Sequence, residues 1–130
     1  MMKVRITTQN APKPIGAYSQ GVKAGNLVFA SGQIPIDPST GEMVVGGARE
    51  QTKRVIENLK MVLGAAGSSL DEVLKLTVFL ADLDWFEEMN KVFSDYFSAD
   101  PPAREVVEVA RLPKGAGIEV SAIALSVGEK

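Results

Sequence analysis

Two side chains near the end of the chain have types and surroundings that could do chemistry together. Arg104 opens a strand-like run after two prolines, and Glu119 stands near the start of a second run, within PPAREVVEVARLPKGAGIEVSAIAL over residues 101–125. A guanidinium is planar and permanently charged, so it can hold a carboxylate through two parallel hydrogen bonds. A carboxyl group set in an apolar strand can have a raised pKa and can orient a water molecule. If the two runs meet in a folded assembly, the cation and the carboxyl face one small space. Each residue also has a plainer reading. Arg104 can be a surface cation paired with Glu105 or Asp100, and Glu119 can be a solvent-facing glutamate on an edge strand.

Three further polar positions could line such a space. Asn90 falls on the helix face that carries Phe86, Phe93 and Phe97, so its amide needs partners there, either a backbone carbonyl or a pocket. Tyr18 and Ser31 sit in or beside glycine-rich backbone, where a phenol offers an apolar wall with a hydroxyl at its end. Gly32 lets a ligand or another backbone come close. Gly46-Gly47 before a helix is the usual place for a phosphate cradle. No P-loop lysine and hydroxyl follow it, so a plain turn is expected.

What the chain lacks narrows the chemistry further. With no cysteine and no histidine among 130 residues, thiol nucleophiles, serine–histidine triads, disulfides and the common zinc sites are excluded. An enzyme built this way must move protons with Glu, Asp, Lys, Tyr, backbone groups or water. The formal charge of -2, with both signs interspersed, argues against a nucleic-acid surface. No apolar run is long enough to span a bilayer, and no secretory h-region opens the chain. Cytoplasmic placement and a single domain over residues 1–130 are expected.

The elements that must position these residues follow from periodicity. Short strands are expected at 3–7, 19–22, 27–31 and 43–45, with turns at Ala24-Gly25-Asn26 and 37–41. Ala48, Val55, Ile56, Leu59, Val62, Leu63 and Ala66 recur at helical spacing, and Gly67 ends that helix. Residues 73–80 alternate as a strand, with Leu74, Leu76, Val78 and Leu80 on one face. Asp82 or Asp84 caps a second helix reaching about Phe97, and two more strands finish the chain. Strands backed by two helices give an α+β sheet with one face covered. Phe79, Val107, Val109 and Ile123 cannot all point inward, so the other face needs cover, which self-association would supply.

Seven segments together resemble one family. GAYSQ (16–20), VFASGQIPID (28–37), ENLKMVLGAAG (57–67), VLKLTVFLADL (73–83), PPAR (101–104), VEVARLP (107–113) and GIEVSAIA (117–124) are similar to the RidA/YjgF/YER057c/UK114 family over nearly the whole chain. The resemblance implies a chorismate-mutase-like α+β fold, a six-stranded, mostly antiparallel sheet with two helices packed on one face. It also implies a homotrimer with clefts between subunits, and hydrolytic deamination of 2-aminoacrylate and 2-aminocrotonate, through their imines, to 2-oxo acids and ammonia without a cofactor or metal. On that resemblance Arg104 binds the substrate carboxylate, Glu119 orients water and Tyr18 packs on the substrate. Ser31, Gly32, Asn90 and the backbone at Val106 shape the cleft. Val106 replaces a cysteine that many members carry, Ser121 replaces a second glutamate, and GAYSQ stands for GPYSQ. The rival readings are a non-catalytic 2-oxo-acid-binding regulator, an endoribonuclease or translation inhibitor, and a chaperone.

Overall fold

The computed structural model describes residues 2–128. Strands β1 (Lys3–Ile6), β2 (Gly21–Ala24) and β3 (Leu27–Gln33) form an antiparallel meander, and a small hairpin of β4 (Ile36–Asp37) and β5 (Glu42–Met43) follows. Helix α1 (Ala48–Ala65), strand β6 (Val73–Leu80), helix α2 (Phe86–Tyr96), and strands β7 (Ala103–Glu108) and β8 (Ile118–Leu125) complete the chain. The six-stranded sheet has the order β1-β2-β3-β8-β6-β7. Every pairing is antiparallel except β6 with β7. That parallel pair needs a crossover, and α2 supplies it. This is the α+β architecture anticipated from the sequence.

The last two strands are not neighbours. They follow each other in sequence across a short turn, yet β8 inserts between β3 and β6, while β7 pairs the far side of β6 and forms a sheet edge. β8 alternates strictly. Ile118, Val120, Ala122 and Ala124 are buried, while Glu119, Ser121, Ile123 and Leu125 are half-buried on the opposite face. Helix α1 packs across β3 and β8 and α2 lies beside α1. Ile56, Leu59, Leu63, Leu76, Leu80 and Ile118 are among the fully buried side chains between the layers. Each contributes roughly 1.5–3 kcal/mol relative to exposure. The other face is thinly covered: Phe29 and Val107 are 42% and 45% exposed.

Strand β6 departs from simple alternation. Leu74 is exposed and Val73 is buried, because the pairing with β8 slips by one residue between Val73 and Lys75. A bulge of this kind turns the residues beyond it to the other face. Helix α1 ends as its sequence requires. Gly67 has φ +76, its N–H donates to the Gly64 carbonyl, and the Ser68 N–H reaches Leu63, which together make a Schellman closure. Asp82 caps a short turn at Leu83–Trp85 by accepting from the Asp84 N–H, and α2 starts only at Phe86. No helix among the described residues is long and apolar enough to cross a membrane.

The irregular segment that carries Tyr18 is held by one buried amide. Gln20 is 3% exposed. Its Oε1 accepts the Thr8 N–H at 2.7 Å, and its Nε2 donates to the carbonyls of Thr8, Ala11 and Pro12 at 3.0, 3.2 and 2.9 Å. Two hydrogens therefore serve three carbonyls. Removing this side chain strands buried backbone groups, so Gln20→Ala should lower unfolding free energy by about 2–3 kcal/mol in urea titrations.

Candidate active site

The register assigns the candidate residues to two places. Arg104 pairs across from Leu76, which is 1% exposed, so it stands on the helix-covered face at the β7 edge. There Nη1 donates to Asn90 Oδ1 on α2 at 2.8 Å. The guanidinium also lies over two rings, with Cζ 5.7 Å from the Phe86 centroid and 5.5 Å from that of Phe93. Such placement is attractive because the ring face is electron-rich. Glu105 does not take Arg104 as partner; it turns to the opposite face and pairs with Lys75 at 3.4 Å. Val106 is on the same face as Arg104 and packs half-buried against the core. Arg104 and Asn90 border a groove of about 590 Å³ that Phe93, Phe97, Pro101 and Pro102 also line.

Glu119, Gly32, Ser31 and Tyr18 belong to the other place. Glu119 pairs across from Phe79 on the face away from the helices. β3 bulges opposite it: Ala30 pairs with Ala122 and Gln33 with Val120, so Ser31 and Gly32 together face Ser121. The bulge aims Gly32 at the glutamate. A Cβ at Gly32 would overlap Glu119 Oε2 and come within 2.9 Å of its Cδ. Ser31 Oγ donates to the Ser19 carbonyl at 2.6 Å, tying the bulge to the segment after Tyr18. Tyr18 is half exposed, and its hydroxyl accepts a long bond from the Ile15 N–H at 3.4 Å. Burial raises the Glu119 pKa above its ordinary value. No salt bridge engages Glu119 among the described residues.

Within one chain, then, Arg104 and Asn90 stand on one face of the sheet and Glu119 and Gly32 on the other, with β6 between β7 and β8. The Gly46-Gly47 pair is a plain turn, since the Gly47 N–H at the start of α1 already donates to Glu50 at 3.0 Å. Among the described residues no cluster of three or more acidic side chains could hold a metal ion. The aromatic seat beneath Arg104 was missed as a functional feature: Phe86 and Phe93 read as part of an apolar stripe, and only the β7 register shows that they lie under a cation.

A six-stranded mixed sheet with two helices on one face, carrying a guanidinium at one edge and a half-buried carboxyl on the far face, defines a chorismate-mutase-like α+β protein. The family model described as Endoribonuclease L-PSP matches residues 8–126. A RutC family protein of Pyrococcus abyssi is 59% identical over 95% of this chain and 98% of its own length. The 2-iminobutanoate/2-iminopropanoate deaminase of Rattus norvegicus is 46% identical, over 92% of this chain and 88% of its own. The crystal structure of E. coli TdcF with bound serine superposes with a TM-score of 0.90 at 44% identity, covering 94% of this chain and 98% of that one. The chain belongs to the RidA/YjgF family, also called RutC or L-PSP.

Two outcomes follow from the Glu119 side. The clash at Gly32 is with the far end of a flexible side chain, so Gly32→Ala should fold and melt close to the unaltered chain while its Glu119 carboxyl is displaced. Any activity that uses the Glu119 carboxyl should drop roughly 10²-fold in that variant, as misplacement by about 1 Å does elsewhere. The raised pKa means that the folded chain binds a proton more readily than the unfolded one. Ionising Glu119 therefore costs stability as pH rises through its folded pKa, and the cost is absent below the ordinary value of 4.5. Glu119→Gln should melt above the unaltered chain at neutral pH, and the gap should close as pH falls below that value.

Proposed function

We propose that this protein hydrolyses 2-imino acids, in the class of 2-iminopropanoate and 2-iminobutanoate, to 2-oxo acids and ammonia. The active site would be completed between two copies of the chain in a homotrimer. One copy supplies Arg104, with Asn90 and the backbone at Val106. Its neighbour supplies Glu119, with Tyr18, Ser31 and Gly32. The observation that carries this reading is the split itself: a seated guanidinium at one sheet edge and a half-buried carboxyl on the far face each lack the other's complement. Deaminase relatives at 46% identity and a serine-bound relative at 44% support a ligand with a carboxylate beside a nitrogen-bearing carbon.

The chemistry needs little beyond placement. Arg104 grips the substrate carboxylate through its fork. Glu119, ionised, accepts a proton from a water molecule as the water oxygen bonds to the iminium carbon, and the C=N electron pair moves to nitrogen. The product is a carbinolamine. Protonated Glu119 then gives its proton to the amino nitrogen. The carbon–nitrogen bond breaks, the hydroxyl oxygen forms the carbonyl, and the hydroxyl proton leaves with ammonia as ammonium. The net change is iminium plus water to 2-oxo acid plus ammonium. The carboxyl begins and ends ionised, and its raised pKa makes it a better proton carrier near neutral pH than an ordinary glutamate. Tyr18 offers a wall for the substrate's alkyl end, with its hydroxyl at the rim.

The test is a coupled assay in which a dehydratase releases imine continuously and 2-oxo acid is followed. The unaltered protein should accelerate hydrolysis, and Arg104→Ala and Glu119→Gln should each reduce it to the uncatalysed rate. Co-assembly of those two inactive variants should restore about a quarter of the activity, because in randomly mixed closed rings that share of clefts joins an intact arginine to an intact glutamate. Full activity in Arg104→Ala, or no acceleration by the unaltered protein, overturns the reading. No recovery on mixing overturns its two-chain form.

A further inference from the structure

We infer that Asn90, Phe86 and Phe93 are positioning residues that set the Arg104 guanidinium before any acid arrives, and that Asn90 acts on the bound acid only through that arginine. The inference rests on the reading of Arg104 as a carboxylate clamp. It gives Asn90 a role different from contact with the substrate.

Three contacts fix the guanidinium. Arginine has donors only, so the atom of the Asn90 amide facing Nη1 at 2.8 Å must be the oxygen. Phe93 is 4% exposed and rigidly packed, and Phe86 is 37% exposed and forms the outer ring of the seat. Both centroids lie within 6 Å of Cζ, inside cation–π range. All three residues come from one face of α2, with Asn90 one turn from Phe86 and three residues before Phe93. The helix is in turn anchored by Met89, Val92 and Phe93 in the core.

The geometry leaves work for the arginine to do. Asn90 takes one hydrogen of Nη1, and no ion pair or other hydrogen bond engages Arg104 among the described residues. The Nε–Nη2 edge is left without a protein acceptor, and this is the edge that meets a carboxylate side-on. An unrestrained arginine would have to surrender many rotamers on binding, which weakens affinity. A seated one has already done so. Asn90→Ala would free the guanidinium without altering its charge.

Two readouts on the full-length protein decide the matter. With arginine labelled in its side-chain nitrogens, the Nη signals of Arg104 should be resolved without ligand, because the Asn90 contact hinders rotation, and should coalesce in Asn90→Ala. Titration with 2-oxobutanoate should show affinity falling about tenfold in the same variant, the loss expected when a rotamer-rich side chain must be immobilised on binding. Phe86→Leu should lose affinity about threefold and Phe86→Tyr should keep it, since the tyrosine retains the ring. Coalesced signals in the unaltered protein overturn the inference. So does a tenfold affinity loss in Asn90→Ala with the Arg104 signals still resolved, which would mean that Asn90 touches the acid directly. So does unchanged affinity in that variant. Binding of 2-oxobutanoate without imine hydrolysis would remove the hydrolase reading and leave this inference open to the same readouts. Failure to bind any 2-oxo acid overturns both.

Discussion

Strand β8 imposes the constraint on which the rest of the molecule depends. Its even-numbered residues from Ile118 to Ala124 all face the helices and its odd-numbered residues all face away. A slip of one residue would bury Glu119 under α1 and turn Val120 outward. The register is held from both sides, by β3 through Val28, Phe29 and Ala30, and by β6 from Lys75 to Leu80. The placement of the Glu119 carboxyl is thus a by-product of core packing. The side chains that fix its height and direction are Ile118 and Val120, both fully buried.

The two irregularities in the sheet have different uses. The bulge at Leu74 returns Val73 to the core at the start of β6, and no candidate group lies beside it. The bulge at Ser31 and Gly32 makes room. It sets a residue without a side chain against the Glu119 carboxyl, and it lets Ser31 hold the strand that leads from Tyr18. A single extra residue in β3 thereby links three of the candidate positions. Gln20, next along from Ser19, holds the preceding loop with its one amide. The segment from Thr8 to Ser19 is thereby held in place although none of it is helix or strand.

Much of this was legible in the amino acids and some was not. Helix α1 announced itself through periodic Val, Ile and Leu and a terminating Gly67, because those signals are local. The strands of the meander were legible for the same reason, to within two or three residues. The position of β8 was not, since two consecutive strands across a turn suggest a hairpin. Only the demand of β6 and β3 for a partner on their open edges draws β8 between them. Leu74 misled because alternation assumes an unbroken ladder. Gly32 could be read as a close approach but not as an approach to Glu119, whose partner is set by register across 87 residues of chain. The types of the candidate residues were visible through family resemblance. Their separation onto two faces of one sheet was not.

Strand β7 has a final consequence of its own. It borders the sheet and shows one row of backbone donors and acceptors to whatever approaches. Three of its six residues are charged, and two prolines without N–H groups stand at its entrance. On a newly made chain these features discourage a stray strand from annealing there and seeding a fibril. Arg104 is one of these guards against misassembly, and trading it for a β-branched apolar residue would leave the edge more open to a stray strand.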